Sequence, residues 1–280
     1  MTGNRSVVGL LHPGSMGAAV AAQLCDHGTT VLWCSDGRST ATRRRATEGG
    51  LTEVPSLASL VVRSQVLLSI CPPAAAESVA GEVAAHQFAG VYVEANAVTP
   101  ERVARIAGAL PRATVVDSSL IGSPPRGGKQ PRLFFSGPGE AVEQVKELFA
   151  GTDVRTRRLG VELGQASALK LAYTSYQKAS RVLAALSYAL ASDHDVKGEL
   201  LEIAEERPGS YLAETGYFAK AAARAWRWGP ELVEAAELLE SCGLPGEPMR
   251  GAAEALSRWD GERDAELRLE EALARLHRPR

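Results

Sequence analysis

Val7-Val8-Gly9-Leu10-Leu11-His12-Pro13-Gly14-Ser15-Met16-Gly17-Ala18-Ala19-Val20-Ala21 decides the reading of this 280-residue chain. It reads as an apolar strand, a tight Gly/Pro turn and an Ala-rich helix. A strand-to-helix turn leaves backbone N–H groups unpaired at the helix N-terminus, where the helix dipole adds partial positive charge. That suits the pyrophosphate of a dinucleotide. Gly14 lets backbone approach the ligand, and Gly17 lets the helix pack closely on the strand. The fingerprint G-x-G-x-x-G would begin at position 12, where this chain carries His12. Two glycines of three are weak on their own, so the rest of the chain must decide. Leu11, His12, Pro13, Gly14, Ser15 and Met16 are the first candidate cofactor residues.

Outward from this turn, residues 5 to about 155 alternate apolar runs with helical stretches. Strands are expected at Ser6–Leu11, Thr30–Cys34, Gln65–Ile70, Gly90–Glu94 and Thr114–Ser118, with further strands at Arg132–Phe135 and Val154–Thr156. Helices are expected at Ala18–His27, Ser56–Val62, Ala74–His86, Pro100–Ala109 and Glu140–Ala150. This alternation predicts an α/β Rossmann-type doubly wound parallel sheet with its ligand at the carboxyl ends of the strands. After about Leu163 strand signals vanish. Gly164–Ala191 is a long Ala/Leu-rich helical segment, expected to be buried on several sides. Helical stretches follow, divided at Pro208-Gly209, Gly229-Pro230, Gly243-Leu244-Pro245 and Gly261, with an amphipathic tail at Glu262–His277. The expected domains are 1–163, binding NAD(P), and an all-α C-terminal domain at 164–280, joined by the long interdomain helix.

Composition narrows the class. The chain is 45% hydrophobic and 23% charged, with a formal net charge of −2. That is ordinary for a globular protein and advertises no nucleic-acid partner. Cys25, Cys34, Cys71 and Cys242 are scattered without a CxxC pair, which favours free thiols over a disulfide framework. No H-E-x-x-H or similar cluster occurs, so no metal is expected. No apolar run has the length of a membrane span, and the first strand begins almost at once. We expect a cytoplasmic protein. Arg43-Arg44-Arg45 reads most simply as a solvated helix face.

The second strand bears on the cofactor. In NAD-binding sheets an Asp or Glu ends this strand and takes the ribose hydroxyls. Here Val31-Leu32-Trp33-Cys34 ends at Ser35, followed by Asp36, Gly37, Arg38 and Ser39. Hydroxyls plus a guanidinium suit a 2′-phosphate, so NADP(H) is favoured over NAD(H). The competing reading leaves Arg38 solvated and turns Asp36 inward to bind NAD.

Several stretches resemble the β-hydroxyacid dehydrogenase / 6-phosphogluconate dehydrogenase-like superfamily. Its opening G-x-I-G-L-G-x-M-G pattern is matched by Gly9, Gly14, Met16 and Gly17, and His12 departs. The L-L-H-P-G-x-M-G variant resembles a subgroup with a phosphogluconate-dehydrogenase-like C-terminal domain. Leu67-Leu68-Ser69-Ile70-Cys71-Pro72 resembles the strand whose end passes over the cofactor. Tyr92-Val93-Glu94-Ala95-Asn96-Ala97-Val98-Thr99-Pro100 resembles the segment in which Asn96 lies near the nicotinamide. Val116-Asp117-Ser118-Ser119-Leu120-Ile121-Gly122 resembles the substrate loop. Gly164-Gln165-Ala166-Ser167-Ala168-Leu169-Lys170 resembles the G-x-x-x-x-x-K block that carries the family's catalytic lysine.

The resemblance implies oxidation of a small hydroxy acid, or reduction of its keto form, with Lys170 as general acid and base. From composition alone Lys170 would snorkel out of its apolar run. One helical turn on lie Tyr173 and Thr174, candidates for substrate contact; the family usually has Asn at the second place. Lys178, two turns on, reads as a surface lysine. The family's substrate-cradling S-G-G falls near Ile121-Gly122-Ser123, and its first Ser has become Ile121; Ser118, Ser119 and Ser123 surround the place. Arg126 and Lys129 are the basic residues nearest this loop. His12 either faces solvent, bonds the pyrophosphate or, least in keeping with its distance from hydride transfer, takes part in catalysis. His194 reads as a helix-terminus residue. Two other functions compete: an imine or ketone reductase of similar architecture, and a non-catalytic dinucleotide-binding protein. The resemblance also implies a homodimer through the helical domain, with Tyr211, Tyr217 and Trp226 as candidates for its border.

Overall fold

The computed structural model describes residues 6–193, 195–206, 209, 214–241, 243 and 245–277. The readings at His194, Pro208, Tyr211, Cys242 and Leu244 lie outside these residues. The chain divides into two compact units, one ending at Lys170 and the other beginning at Leu171.

The first unit begins with β1 (Val8–Leu10), α1 (Ser15–Asp26), β2 (Val31–Cys34), α2 (Thr40–Glu48), β3 (Thr52–Val54) and α3 (Leu57–Arg63). It continues with β4 (Val66–Ser69), α4 (Ala76–Ala85), β5 (Val91–Glu94), α5 (Pro100–Ala109) and β6 (Thr114–Ile121). β7 (Arg132–Ser136), α6 (Gly139–Leu148) and β8 (Arg155–Gly160) complete its sheet, after which α7 (Gln165–Asp193) begins. The strands form one sheet in the order β3-β2-β1-β4-β5-β6-β7-β8. Chain order reverses between β1 and β4, so a crevice opens there at the carboxyl ends of the strands. The sheet is the expected doubly wound one, with a correction: β6 pairs antiparallel with β7, while all other pairs are parallel.

Alternation along the buried strands builds a core on each face. Val66 and Leu68 join Val8, Leu10, Leu24, Phe135 and Val142 on one side. Leu67 joins Leu32, Leu60, Tyr92 and Ile106 on the other. β3 escaped the sequence reading, and α2 entered it only as the helix face at Arg43-Arg44-Arg45. Thr52-Glu53-Val54 is a strand with only Val54 buried, and α2 buries only Thr42 and Ala46. Neither carries an apolar run. β6 extends to Ile121 rather than Ser118, because β7 pairs with every residue from Asp117 to Ile121.

The second unit continues α7 and adds α8 (Lys197–Glu205), α9 (Phe218–Ala222), α10 (Ala225–Ser241), α11 (Glu247–Ser257) and α12 (Leu269–Leu276). Val182, Ala185, Tyr188, Phe218, Trp228, Leu232, Leu256, Trp259 and Leu273 form its core. Trp259 is fully buried and donates its indole N–H to the Ala272 carbonyl at 2.7 Å. α7 is less enclosed than expected, since Tyr176 and Leu183 stand mostly exposed. The tail is helical only from Leu269. Among the described residues no helix is long and apolar enough to cross a membrane.

Gly164 turns the chain into α7 with φ +96°, and a Cβ there would meet the Pro100 Cβ at 2.6 Å. Gly164→Ala is expected to cost about 2 kcal/mol from the left-handed backbone alone. The thermal midpoint of the first unit should fall by several degrees when followed by circular dichroism; an unchanged midpoint would contradict this account.

Candidate functional site

The β1–α1 turn is built for close approach. A Cβ on Gly17 would lie 2.6 Å from the His12 carbonyl oxygen, so only glycine lets α1 pack there. Gly14 is the N-cap of α1 and supplies no side-chain cap. The first N–H groups of the helix thus keep their donor capacity for an anion. His12 is half-buried, and its Nδ1 lies 3.0 Å from Nη1 of Arg38. Arg38 Nη2 donates to the Leu11 carbonyl at 3.0 Å. Burial first, then the charges of Arg38 and Arg45, hold the His12 pKa below its ordinary value.

Beyond β2, Ser39 caps α2 by accepting from the Thr42 N–H at 3.3 Å. The Ser35 hydroxyl donates to Glu53 on β3, and Arg43 donates to the Ser35 carbonyl at 2.8 Å. Arg45 Nε donates to the Pro13 carbonyl at 3.3 Å. The triplet is therefore not a simple solvated face. Arg43 and Arg45 brace the two loops, and only Arg44 keeps to α2, facing Glu48 at 3.8 Å.

The carboxyl ends of β4 and β5 are stapled by Asn96. Its Oδ1 accepts from the Cys71 N–H at 2.6 Å, and its Nδ2 donates to the Ser69 hydroxyl at 3.0 Å. Glu94 is fully buried beneath it and accepts from the Asn96 N–H at 3.1 Å. Burial pushes the Glu94 carboxyl up to about 7. By distance and angle its Oε2 and the buried Tyr92 hydroxyl have no hydrogen-bond partner among the described residues. Burial, reinforced by Glu94, raises the Cys71 thiol to about 11, so it stays protonated at neutral pH. Pro72 follows at the N-cap of a short 3-10 turn.

Asp117 ties β6 to the start of α7. Its carboxylate accepts from the Ser136 hydroxyl at 3.0 Å, the Gly164 N–H at 2.9 Å, the Ser167 N–H at 3.0 Å and the Ser167 hydroxyl at 2.6 Å. Ser136 in turn accepts from the Ala166 N–H at 3.1 Å. Asp117 and Ser136 thus accept from three N–H groups at the start of α7, and the negative charge sits at the positive end of the helix dipole. Burial outweighs these bonds and raises the Asp117 pKa. One turn into α7, Lys170 Nζ donates to the Leu120 carbonyl at 2.7 Å.

Ser15, Met16 and the turn from Leu11 to Gly14 therefore lie at the start of α1, while Cys71 and Asn96 meet through a direct hydrogen bond. Ser119 and Ile121 lie in β6 instead of a loop; Ser118 and Ser119 are buried, with hydroxyls unpartnered among the described residues. Gly122 and Ser123 follow, exposed, as are Arg126 and Lys129. In the second unit Thr174 is 1% exposed and Tyr173 44%. Lys178 is not the surface residue expected: it is 7% exposed and ion-paired with Glu231 of α10. Sequence reasoning missed Glu94, Asp117, Ser136 and Ser167. A signal was present, since Glu94 and Asp117 are acids at the ends of apolar strand runs, and the two are register partners. Among the described residues no group of three His, Cys, Asp or Glu is placed to hold a metal ion.

Residues 191–259 match the family described as Domain of unknown function (DUF1932). An uncharacterized 28.5 kDa protein of Methanothermus fervidus, from the 7S RNA 5′ region, is 27% identical over 184 residues, 66% of this chain and 70% of its own. The solved structure of Mycobacterium tuberculosis 3-hydroxyisobutyrate dehydrogenase with L-serine matches with a TM-score of 0.75 at 13% identity, covering 98% of this chain and 100% of that one. A reductive aminase of Aspergillus terreus in complex with NADPH and ethyl levulinate matches with a TM-score of 0.59 at 19% identity, covering 98% and 100%. The chain has the fold of the β-hydroxyacid dehydrogenase-like superfamily, as its motifs implied.

Glu94 predicts a pH dependence. With its carboxyl raised from 4.5 to about 7, the folded protein keeps a proton that the unfolded chain loses in that interval. Its contribution to stability therefore falls as pH rises through this window, by about 3 kcal/mol in all. Urea unfolding of wild type and Glu94→Gln at pH 5 and pH 8 checks it. The wild type should lose stability relative to the variant on going to pH 8; parallel pH profiles would contradict the assignment.

Proposed function

We propose that this chain is an NADP-dependent oxidoreductase moving a hydride between nicotinamide and a small hydroxy acid or its keto form, with Lys170 as general acid and base. The observation that carries the proposal is Lys170 itself. It stands one turn inside a helix whose start is pinned by buried Asp117, and its ammonium is aimed by the Leu120 carbonyl. A lysine serving only solubility needs neither constraint.

The residues at the turn fit a dinucleotide: the uncapped start of α1, the close approach at Gly17, and Arg38 across the loop. Leu11 to Met16 would hold the pyrophosphate, Ser35, Arg38 and Ser39 the 2′-phosphorylated ribose, and Cys71, Pro72 and Asn96 the nicotinamide side. When bound, the nicotinamide gives or takes the hydride at C4. Lys170 donates a proton to the substrate oxygen in reduction and removes the hydroxyl proton in oxidation. Ser119, Ile121, Gly122, Ser123, Tyr173 and Thr174 are the proposed substrate contacts. Ile121 and Thr174 lack the hydroxyl and amide of the family pattern, so the substrate differs from 3-hydroxyisobutyrate.

The fold shared with an NADPH-bound reductive aminase supports imine or ketone reduction as the second reading, and Lys170 weighs against it. Tyr173, Tyr176 and Leu183 form an exposed apolar stripe on α7, which favours a homodimer through the helical unit. Sedimentation equilibrium should give twice the chain mass, and Leu183→Glu should shift it to the monomer; a wild-type monomer would contradict the dimer.

Lys170→Ala tests the catalytic reading. Turnover of a panel of hydroxy acids, keto acids and cyclic imines with NADPH or NADP should fall by about a hundredfold or more, the scale of lost acid–base catalysis. NADPH affinity should stay within a few-fold. Tight nucleotide binding with no substrate turned over by either protein would favour a non-catalytic dinucleotide-binding protein instead.

A further inference from the structure

His12 stands where a glycine would suffice for the turn, and its imidazole meets the Arg38 guanidinium. Arginine carries only donors, so the 3.0 Å contact from Arg38 Nη1 requires an accepting lone pair on His12 Nδ1. The ring is then neutral and its proton lies on Nε2. The lowered His12 pKa agrees with this state. The charged groups facing the ring are Arg38, from the loop after β2, and Arg45, from α2. Both also donate to carbonyls of the same turn, at Leu11 and Pro13. Arg38 Nε is buried and has no hydrogen-bond partner among the described residues.

The ring's other edge has a definite place. A Cβ on Gly14 would lie 3.2 Å from His12 Cδ2 and 3.4 Å from Nε2. Gly14 is the N-cap of α1, so the Nε2–H lies beside the helix start that has no side-chain cap. A glycine at position 12 would offer neither the acceptor nor the donor.

We infer that His12 is a positioning residue for a 2′-phosphorylated dinucleotide: its Nδ1 lone pair holds the Arg38 guanidinium, and its Nε2–H donates to a cofactor phosphate. This rests on the proposed dinucleotide function. Arg38 is one of the residues assigned above to the 2′-phosphate, and His12 keeps it from swinging to solvent. Selectivity for NADPH over NADH is thus set partly by a residue on the first turn.

Two measurements test it. Long-range 1H–15N spectra of wild type, with His12 assigned by its loss in His12→Asn, should show a protonated Nε2 and an unprotonated Nδ1. The opposite tautomer or an imidazolium at pH 7 overturns the inference without any binding measurement. Dissociation constants for NADPH and NADH are then compared by fluorescence titration. His12→Phe, which keeps ring bulk without either hydrogen bond, should weaken NADPH by about tenfold or more and NADH by less. His12→Gln, with one acceptor and one donor, should recover part of the difference. An unchanged NADPH-to-NADH ratio in a folded His12→Phe protein overturns the inference alone, while a wild type that binds neither nucleotide overturns the dinucleotide reading and this inference with it.

Discussion

One buried carboxylate holds the candidate site together. Burial of Asp117 carries a desolvation cost that raises its pKa, and four hydrogen bonds offset part of that cost. Two of those bonds come from backbone N–H groups at the start of α7. The effect is to fix where the helix begins and at what rotation, because an α-helix advances 100° per residue. Lys170 inherits its position from that cap. The Leu120 carbonyl, three residues along the strand from Asp117, receives the ammonium. The strand that anchors the helix therefore also aims its lysine.

The remaining polar groups follow the same economy of burial. Glu94 lies beside Asp117 in register, on the neighbouring strand. It supports Asn96 from below, and Asn96 spends both ends of its amide joining β4 to β5. The carboxyl ends of β4 and β5 are thus joined before any ligand arrives. On the other side of the crevice, Arg38 and Arg45 cross from the loop after β2 and from α2 to the β1–α1 turn. Preorganisation of this kind lowers the ordering cost of binding.

Much of the fold was legible because buried parallel strands are written as apolar runs, and Val66–Ser69 or Val91–Glu94 read plainly as such. β3 was hidden because two of its three residues face water. Strand direction is absent from periodicity, so β7 was read as a strand while its antiparallel pairing was invisible. The strand was read as ending at Ser118, with Ser119 in a loop, although both serines lie in β6 because β7 pairs with it as far as Ile121. The site was legible where backbone chemistry imposes a residue type, at Gly14 and Gly17, and at Lys170 where the surrounding block resembles a known one. Asp117 and Glu94 showed only as acids ending apolar runs, because a lone acid in a strand does not announce donors such as Ser167, 50 residues away. Lys178 misled for the same reason: its partner Glu231 lies on another helix.

The most direct measurement is a crystal structure with NADPH bound. The account predicts the diphosphate at the start of α1 against Gly14, the 2′-phosphate at Arg38, and the nicotinamide between Asn96 and Lys170. Nucleotide bound elsewhere, or a nicotinamide turned away from Lys170, would contradict it.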